Sequence, residues 1–291
     1  MNLLDRFRTN RTFNEGRKAL GRGDLDGAIK VFEGYVAGDD VNPAAWFNLG
    51  LAYKLKRDWP NSVRCNRRAA ELYPDSQEAH WNLGVAATAL RDWATARAAW
   101  RGIGLDPPPG NGPPEFPDLG ITPIRLDPSG ETVWGDRVDP CRARIESVPL
   151  PESGHRWGDI VLHDVVPNGQ REVGGRTWSV FDELIRMDPS NSPTFESQVT
   201  VPTEEDGAAL NDLFTGLDVG AEDWTDSIYV ICAQCSVRNV HHHASTDDTT
   251  PIRMVVRRYG FGGDPDVIVA GLERWAAAGE ARSFEPLIEI A

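Results

Sequence analysis

Half of the four cysteines and half of the six histidines in this chain fall within twelve residues, 232–243. Cys232 and Cys235 are separated by two residues, and His241, His242 and His243 follow a few residues on. Two thiolates at that spacing hold one metal ion through a tight knuckle, and imidazoles nearby complete a tetrahedron. On an extended backbone alternate side chains share a side, so His241 and His243 are the preferred pair, with His242 the alternate. Zinc held by Cys232, Cys235, His241 and His243 would have four protein ligands and no open position, which makes it structural. A redox dithiol is an alternative, but such pairs cap a helix that lowers the thiol pKa, and the residues after Cys235 show no helical period. An unmetallated surface loop is the other alternative.

Catalytic patterns are missing elsewhere. There is no His-Glu-x-x-His, no Gly-x-Ser-x-Gly, no phosphate-cradling glycine loop, and no glutamate beside a ligand histidine ahead of Cys232. Asp136, Asp139, His155, Asp159, His163 and Asp164 form a polar cluster without metal or triad spacing and read as solvated or turn-capping groups. The expectation is therefore a protein that is not an enzyme.

Composition narrows the class. At 291 residues and 40% hydrophobic the chain has room for two or three globular domains. Its first residues are charged and lack an apolar signal region, no stretch is long enough to span a membrane, and four cysteines are too few for a disulfide framework. A cytoplasmic location follows as the expectation. Residues 1–106 carry 16 Lys+Arg against 13 Asp+Glu, and the remainder carries 14 against 31. Nucleic-acid binders need phosphate-neutralising basic patches, so this strongly acidic second part argues against nucleic acid.

The elements that carry these residues begin with a period of 34. Trp46-Phe47-Asn48-Leu49-Gly50 recurs as His80-Trp81-Asn82-Leu83-Gly84, and Arg57-Asp58-Trp59 as Arg91-Asp92-Trp93. One period upstream lie Phe13-Asn14-Glu15-Gly16 and Gly23-Asp24-Leu25. A helix–turn–helix unit of this length cannot bury its apolar face alone and must stack on its neighbours. Gly50 and Gly84 are costly within a helix and mark places where two helices approach closely.

Residues of about 9–110 resemble tetratricopeptide repeats, on Trp46, Leu49, Gly50, Tyr53, Ser62, Ala69 and Pro74 in the middle repeat. The third repeat contributes Leu83, Gly84, Ala96, Trp100 and Pro108, and the first Gly16, Ala28 and Phe32. The resemblance implies an all-α solenoid of about three repeats whose first helices line a concave groove for a protein or peptide partner. Asn14, Asn48 and Asn82 occupy one repeat position, each following an aromatic residue, and their amides can bond both groups of an extended peptide backbone. Phe47, Leu51, Lys54 and Trp81 complete the candidate partner-binding set, with Lys54 available to hold a carboxylate.

Residues 107–117, rich in proline and glycine, read as an extended linker. Period-two segments at 121–126, 131–137, 142–148, 159–163 and 176–181 then predict a small all-β, barrel-like domain over 118–190. Residues 191–291 read as β-α-β-β-α-β, with strands at about 195–201, 226–232, 252–259 and 284–290. That order is the ferredoxin-like α+β split unit, here carrying the Cys/His loop 232–243. Thr203 and Asp264 are the helix caps. The reading is a multi-domain, non-catalytic adaptor with a structural zinc. A metal-handling protein with an exchangeable Cys/His site, or an acidic inhibitor or antidote covering a basic target, is the alternative.

Overall fold

A computed structural model describes residues 3–38, 40–225 and 256–290. The chain falls into two compact units, Met1–Pro117 and Asp118–Ala291.

Among the described residues six helices build the first unit: α1 (Leu3–Gly21), α2 (Leu25–Gly38), α3 (Pro43–Leu55), α4 (Trp59–Leu72), α5 (Gln77–Ala89) and α6 (Trp93–Gly102). The 34-residue period sets three features of each pair. The turn residue is left-handed, as Gly23 (φ 74°), Arg57 (60°) and Arg91 (57°). An aspartate caps the second helix: Asp24 accepts from Gly27 N at 2.9 Å, Asp58 from Asn61 N at 3.3 Å and Asp92 from Thr95 N at 3.1 Å. A glycine on the first helix makes a socket for the residue sixteen further on. A Cβ on Gly16 would lie 2.8 Å from the Phe32 ring, on Gly50 2.5 Å from the Asn66 amide, and on Gly84 2.3 Å from the Trp100 indole. Phe32, Asn66 and Trp100 are completely buried.

One substitution within the repeats has a simple chemical reason. Trp46 Nε1 donates to Asp40 O at 2.8 Å, and one period on His80 Nε2 faces Pro74 O at 2.9 Å. Both residues place a ring N–H on the carbonyl six residues back, so His80 preserves the bond that Trp46 makes.

The proline-rich segment lies against the last repeat. Arg97, the 34-residue equivalent of Val63, is buried and donates from Nε to Pro108 O at 2.8 Å. Pro107 and Pro114 are buried as well. Val63 packs on the following helix α5 through Leu83 and Ala86, so the segment covers on α6 the site that α5 covers on α4. End repeats of a stack need such a covering.

The second unit opens with strands β1 (Ile121–Arg125), β2 (Thr132–Arg137), β3 (Arg142–Ile145) and β4 (Ile160–His163). A hairpin follows, β5 (Gln170–Val173) with β6 (Arg176–Ser179), and then β7 (Phe181–Asp188). The order β1-β2-β3-β4-β7 closes into a barrel, with β1 and β7 parallel and the other neighbours antiparallel. Ile124, Val133, Ala143, Ile145 and Val161 fill it. The predicted strand 176–181 is corrected here: it spans two elements, and the closing strand of the barrel is β7. Glu183 occupies an inward position on β7, which hid the alternation from the sequence.

The chain continues through β8 (Thr194–Thr200), α7 (Glu204–Thr215), β9 (Gly220–Asp223), β10 (Val256–Gly262), α8 (Pro265–Ala277), β11 (Ser283–Phe284) and β12 (Ile288–Glu289). The sheet runs β11-β8-β10-β9 with β12 also on β8, every pair antiparallel. Thr203 and Asp206 close a capping box on α7, and Asp264 caps α8. Pro286 has no N–H to donate, and the predicted final strand 284–290 accordingly splits into β11 and β12. The predicted strand 226–232 lies outside the described residues, and β9 precedes it.

Phe195, Val199, Tyr259 and Phe261 pack under Leu210, Phe214, Ile268, Leu272 and Trp275 of the two helices. The other face of the sheet meets the barrel through indoles seated on glycines. A Cβ on Gly260 would lie 2.0 Å from Trp224, and Cβ atoms on Gly220 and Gly262 would lie 2.6 and 2.5 Å from Trp157. Trp224 Nε1 also donates to Val148 O at 2.9 Å, which ties the end of β9 to the segment after β3.

Candidate binding site on the repeat unit

The first helices α1, α3 and α5 carry the candidate residues, and each bears its glycine socket at the same repeat position. Asn14 is exposed, Asn48 is half-buried and Asn82 is buried at 5% exposure, so the three amides differ in access. Asn48 Nδ2 donates to Ala44 O of its own helix at 2.7 Å. The aromatics beside them hold the helices together. Phe13 meets the Phe32 and Tyr35 rings edge-on at 5.7 Å, and Trp81 lies 5.4 Å from Trp100. Phe47 packs against Ala69, Ala70 and Ala79. Leu51 is half-buried, whereas Lys54 is buried at 1% exposure. The structure thus leaves Asn14 the most open member of the set, with Phe47, Asn48, Leu51 and Trp81 half-buried and Lys54 and Asn82 buried.

Beside them the core is chemically quiet. Tyr53 donates to Glu33 Oε1 at 2.5 Å, and burial together with that carboxylate holds its phenol well above the ordinary range. Burial pushes the Cys65 thiol up to about 11, so it remains a thiol at neutral pH.

These observations decide the class of the first unit. Residues 13–62 and 56–107 match the sequence family described as Tetratricopeptide repeat. Residues 13–107 are tetratricopeptide repeats. Solved structures similar to this part of the chain include the first tetratricopeptide domain of Spaghetti (RPAP3) bound to an HSP90 peptide, at 21% identity over 33% of this chain and 75% of that one, TM-score 0.32. Others are the TPR2B domain of yeast Sti1 in a pHsp70 complex (16% identity, 33% and 78% covered, TM-score 0.32) and the Sgt2 tetratricopeptide domain from Aspergillus fumigatus (21%, 33% and 63%, 0.31). The tetratricopeptide match is confined to the helical unit.

In the second unit five members of the polar cluster, Asp139, His155, Asp159, His163 and Asp164, are engaged in the fold. Asp139 accepts from Cys141 N at 2.9 Å, Arg142 N at 2.7 Å and Arg142 Nε at 2.7 Å. Asp159 accepts from Ser190 N at 2.6 Å and Arg156 N at 3.0 Å, and Asp164 from Val165 N at 2.7 Å. Asp139 and Asp159 are turn caps, but completely buried ones rather than solvated. His155 faces oxygens with both ring nitrogens, Ser153 O at 3.0 Å and Glu183 Oε1 at 2.9 Å, an arrangement that suits the ring's charged form. Burial opposes that charge, but the bond to Glu183 and its charge outweigh it and raise the His155 pKa. His163 donates from Nδ1 to Asp164 O at 2.7 Å, and burial lowers its pKa, keeping it neutral.

Between barrel and sheet sit two further carboxylates with no sequence signature. Glu131 accepts from Leu150 N at 3.0 Å, and Glu222 is bonded to Ser147 and to the backbone of Val148. Burial raises both, Glu131 to about 7. Cys232, Cys235, His241, His242 and His243 lie outside the described residues. Among the described residues no group of three or more His, Cys, Asp or Glu side chains is arranged to hold a metal ion. No described helix is long and apolar enough to cross a membrane.

Proposed function

We propose that this chain is a non-catalytic, cytoplasmic adaptor whose tetratricopeptide unit binds an extended segment of a partner protein. The observation that carries the reading is the recurrence of Asn14, Asn48 and Asn82 at one repeat position on first helices that share the glycine socket and that each lead into an aspartate-capped second helix. Primary amides spaced along a stack can donate to and accept from successive peptide groups of a bound strand. Asn14 and Asn48 are the better placed, and Leu51 supplies an apolar contact beside them. Lys54 is buried at 1% exposure, so its charge is not offered to a partner's carboxylate.

The second unit is the adaptor's acidic half, combining the small barrel with a ferredoxin-like split unit. Its strand order and its two helices on one face of the sheet support that description. A structural zinc on Cys232, Cys235, His241 and His243 belongs to the same proposal and is supported by their spacing alone. The test is a displayed library of random peptides panned against the full chain. Enrichment of a shared motif whose binding is lost in Asn48→Ala supports the reading, and failure to enrich any motif contradicts it.

A further inference from the structure

Helices α7 and α8 turn one side to the sheet and leave a shallow apolar groove of about 380 Å³ on the other. Leu213 and Leu217 form one wall, and exposed Val267 and Ala270 form the other. Gly271 makes the floor, where a Cβ would press on the Phe214 ring at 3.0 Å. The two ends of the groove carry opposite charges, Asp266 and Arg274. Both side chains are exposed, and neither has an ion-pair partner among the described residues.

This arrangement is self-complementary. Asp266 and Arg274 stand four residues either side of Ala270, about 6 Å along the axis in each direction, on neighbouring turns of one helix face. When a second α8 is laid antiparallel with Ala270 over Ala270, each Asp266 meets the Arg274 of the other copy. Val267 of each then enters the groove beside Leu213 and Leu217 of the other. A surface that pairs residue i with residue j and j with i is the mark of a two-fold contact. The small side chain at the crossing, exposed Ala270, allows the backbones to approach closely.

We propose that the α7–α8 groove is a docking surface for a second copy of this chain, joined by reciprocal Asp266–Arg274 pairs across antiparallel α8 helices. The contact rests on one shallow groove and two exposed ion pairs, so weak association is expected, with a dissociation constant on the order of micromolar. The dimer carries two tetratricopeptide units and engages a bivalent partner more tightly than a monomer does.

The test is light scattering of the full chain from about 1 to about 200 µM, a range that brackets such a dissociation constant. Wild type is expected to rise from 32.1 kDa toward twice that mass. Asp266→Arg and Arg274→Asp, changes at exposed positions, are each expected to weaken self-association at least tenfold. An equimolar mixture of the two variants is expected to dimerise again, because one variant carries arginine at both ends of the groove and the other carries aspartate at both. A wild type that stays monomeric throughout, single variants that dimerise as well as wild type, or a mixture that fails to recover would each overturn the proposal.

Discussion

Identical glycine-to-alanine changes in two helices of the repeat unit should have opposite signs. Gly34 lies within α2, exposed, with nothing within 4 Å of the methyl group that alanine would add. Alanine there restricts the unfolded chain and favours the helix, a gain of about 0.5–1 kcal/mol. Gly84 lies within α5, where the new Cβ would sit 2.3 Å from Cη2 and Cζ3 of Trp100 and 2.7 Å from Cζ2. Ordinary carbon contacts are about 3.5–4.0 Å, so the indole must recede by more than about 1 Å. It cannot do so freely, because Trp100 is completely buried and backed by Trp81. Overpacking of this kind costs about 1–3 kcal/mol or more, and the helix gain of about 1 kcal/mol offsets only part of it. The expected net is a loss of about 1–2 kcal/mol for Gly84→Ala, read as a lower urea midpoint by far-ultraviolet circular dichroism on the full chain. Trp100→Phe removes the overlapping ring atoms, so the double variant should lose less than the sum of the single changes. A Gly84→Ala protein as stable as Gly34→Ala, or additive single effects, would refute the socket argument.

Three other outcomes are expected. Asp92→Ala removes the acceptor for Thr95 N and should cost about 1 kcal/mol, while Asp92→Asn should be close to neutral in the same urea titration. Glu131 is raised from 4.5 to about 7, so the folded protein holds its proton more tightly than the unfolded one. Stability from this group is therefore full below about pH 4.5 and declines as pH rises to about 7, by about 1–2 kcal/mol after solvent screening. Glu131→Gln should flatten that part of the pH profile, with Glu222 and His155 sloping the same way and His163 the opposite way. Mass spectrometry of untagged protein should find one zinc per chain, and a strong chelator should lower the melting temperature. Sub-stoichiometric metal that is stripped without loss of fold would favour the metal-handling alternative.

How much can be read from the sequence depends on the range of the contact involved. The repeats were legible because their signals are local and periodic: Gly16, Gly50 and Gly84, the caps Asp24, Asp58 and Asp92, and the turns at Gly23, Arg57 and Arg91 all recur at 34 residues. Helices α7 and α8 were legible from Thr203 and Asp264, whose capping is also local. Barrel closure by β7 was not, because inward Glu183 breaks the apolar alternation and its partner His155 lies 28 residues away. The seam of Trp157 and Trp224 on Gly220, Gly260 and Gly262 joins distant segments, Trp157 to Gly262 among them, and leaves no pattern in any window. At the candidate site the 34-residue period places Asn14, Asn48 and Asn82 at equivalent positions but says nothing of their unequal access. Burial of Lys54 likewise depends on the folded surroundings.

The most direct measurement is calorimetric titration of a library-selected peptide into the full chain, wild type beside Asn14→Ala, Asn48→Ala and the exposed α6 control Arg101→Ala. Loss of at least one backbone hydrogen bond should weaken binding about fivefold or more in each asparagine variant, with unchanged circular dichroism. The Arg101→Ala control should bind as wild type does. Equal affinity across all four proteins would place the partner elsewhere and contradict the adaptor reading of the repeat face.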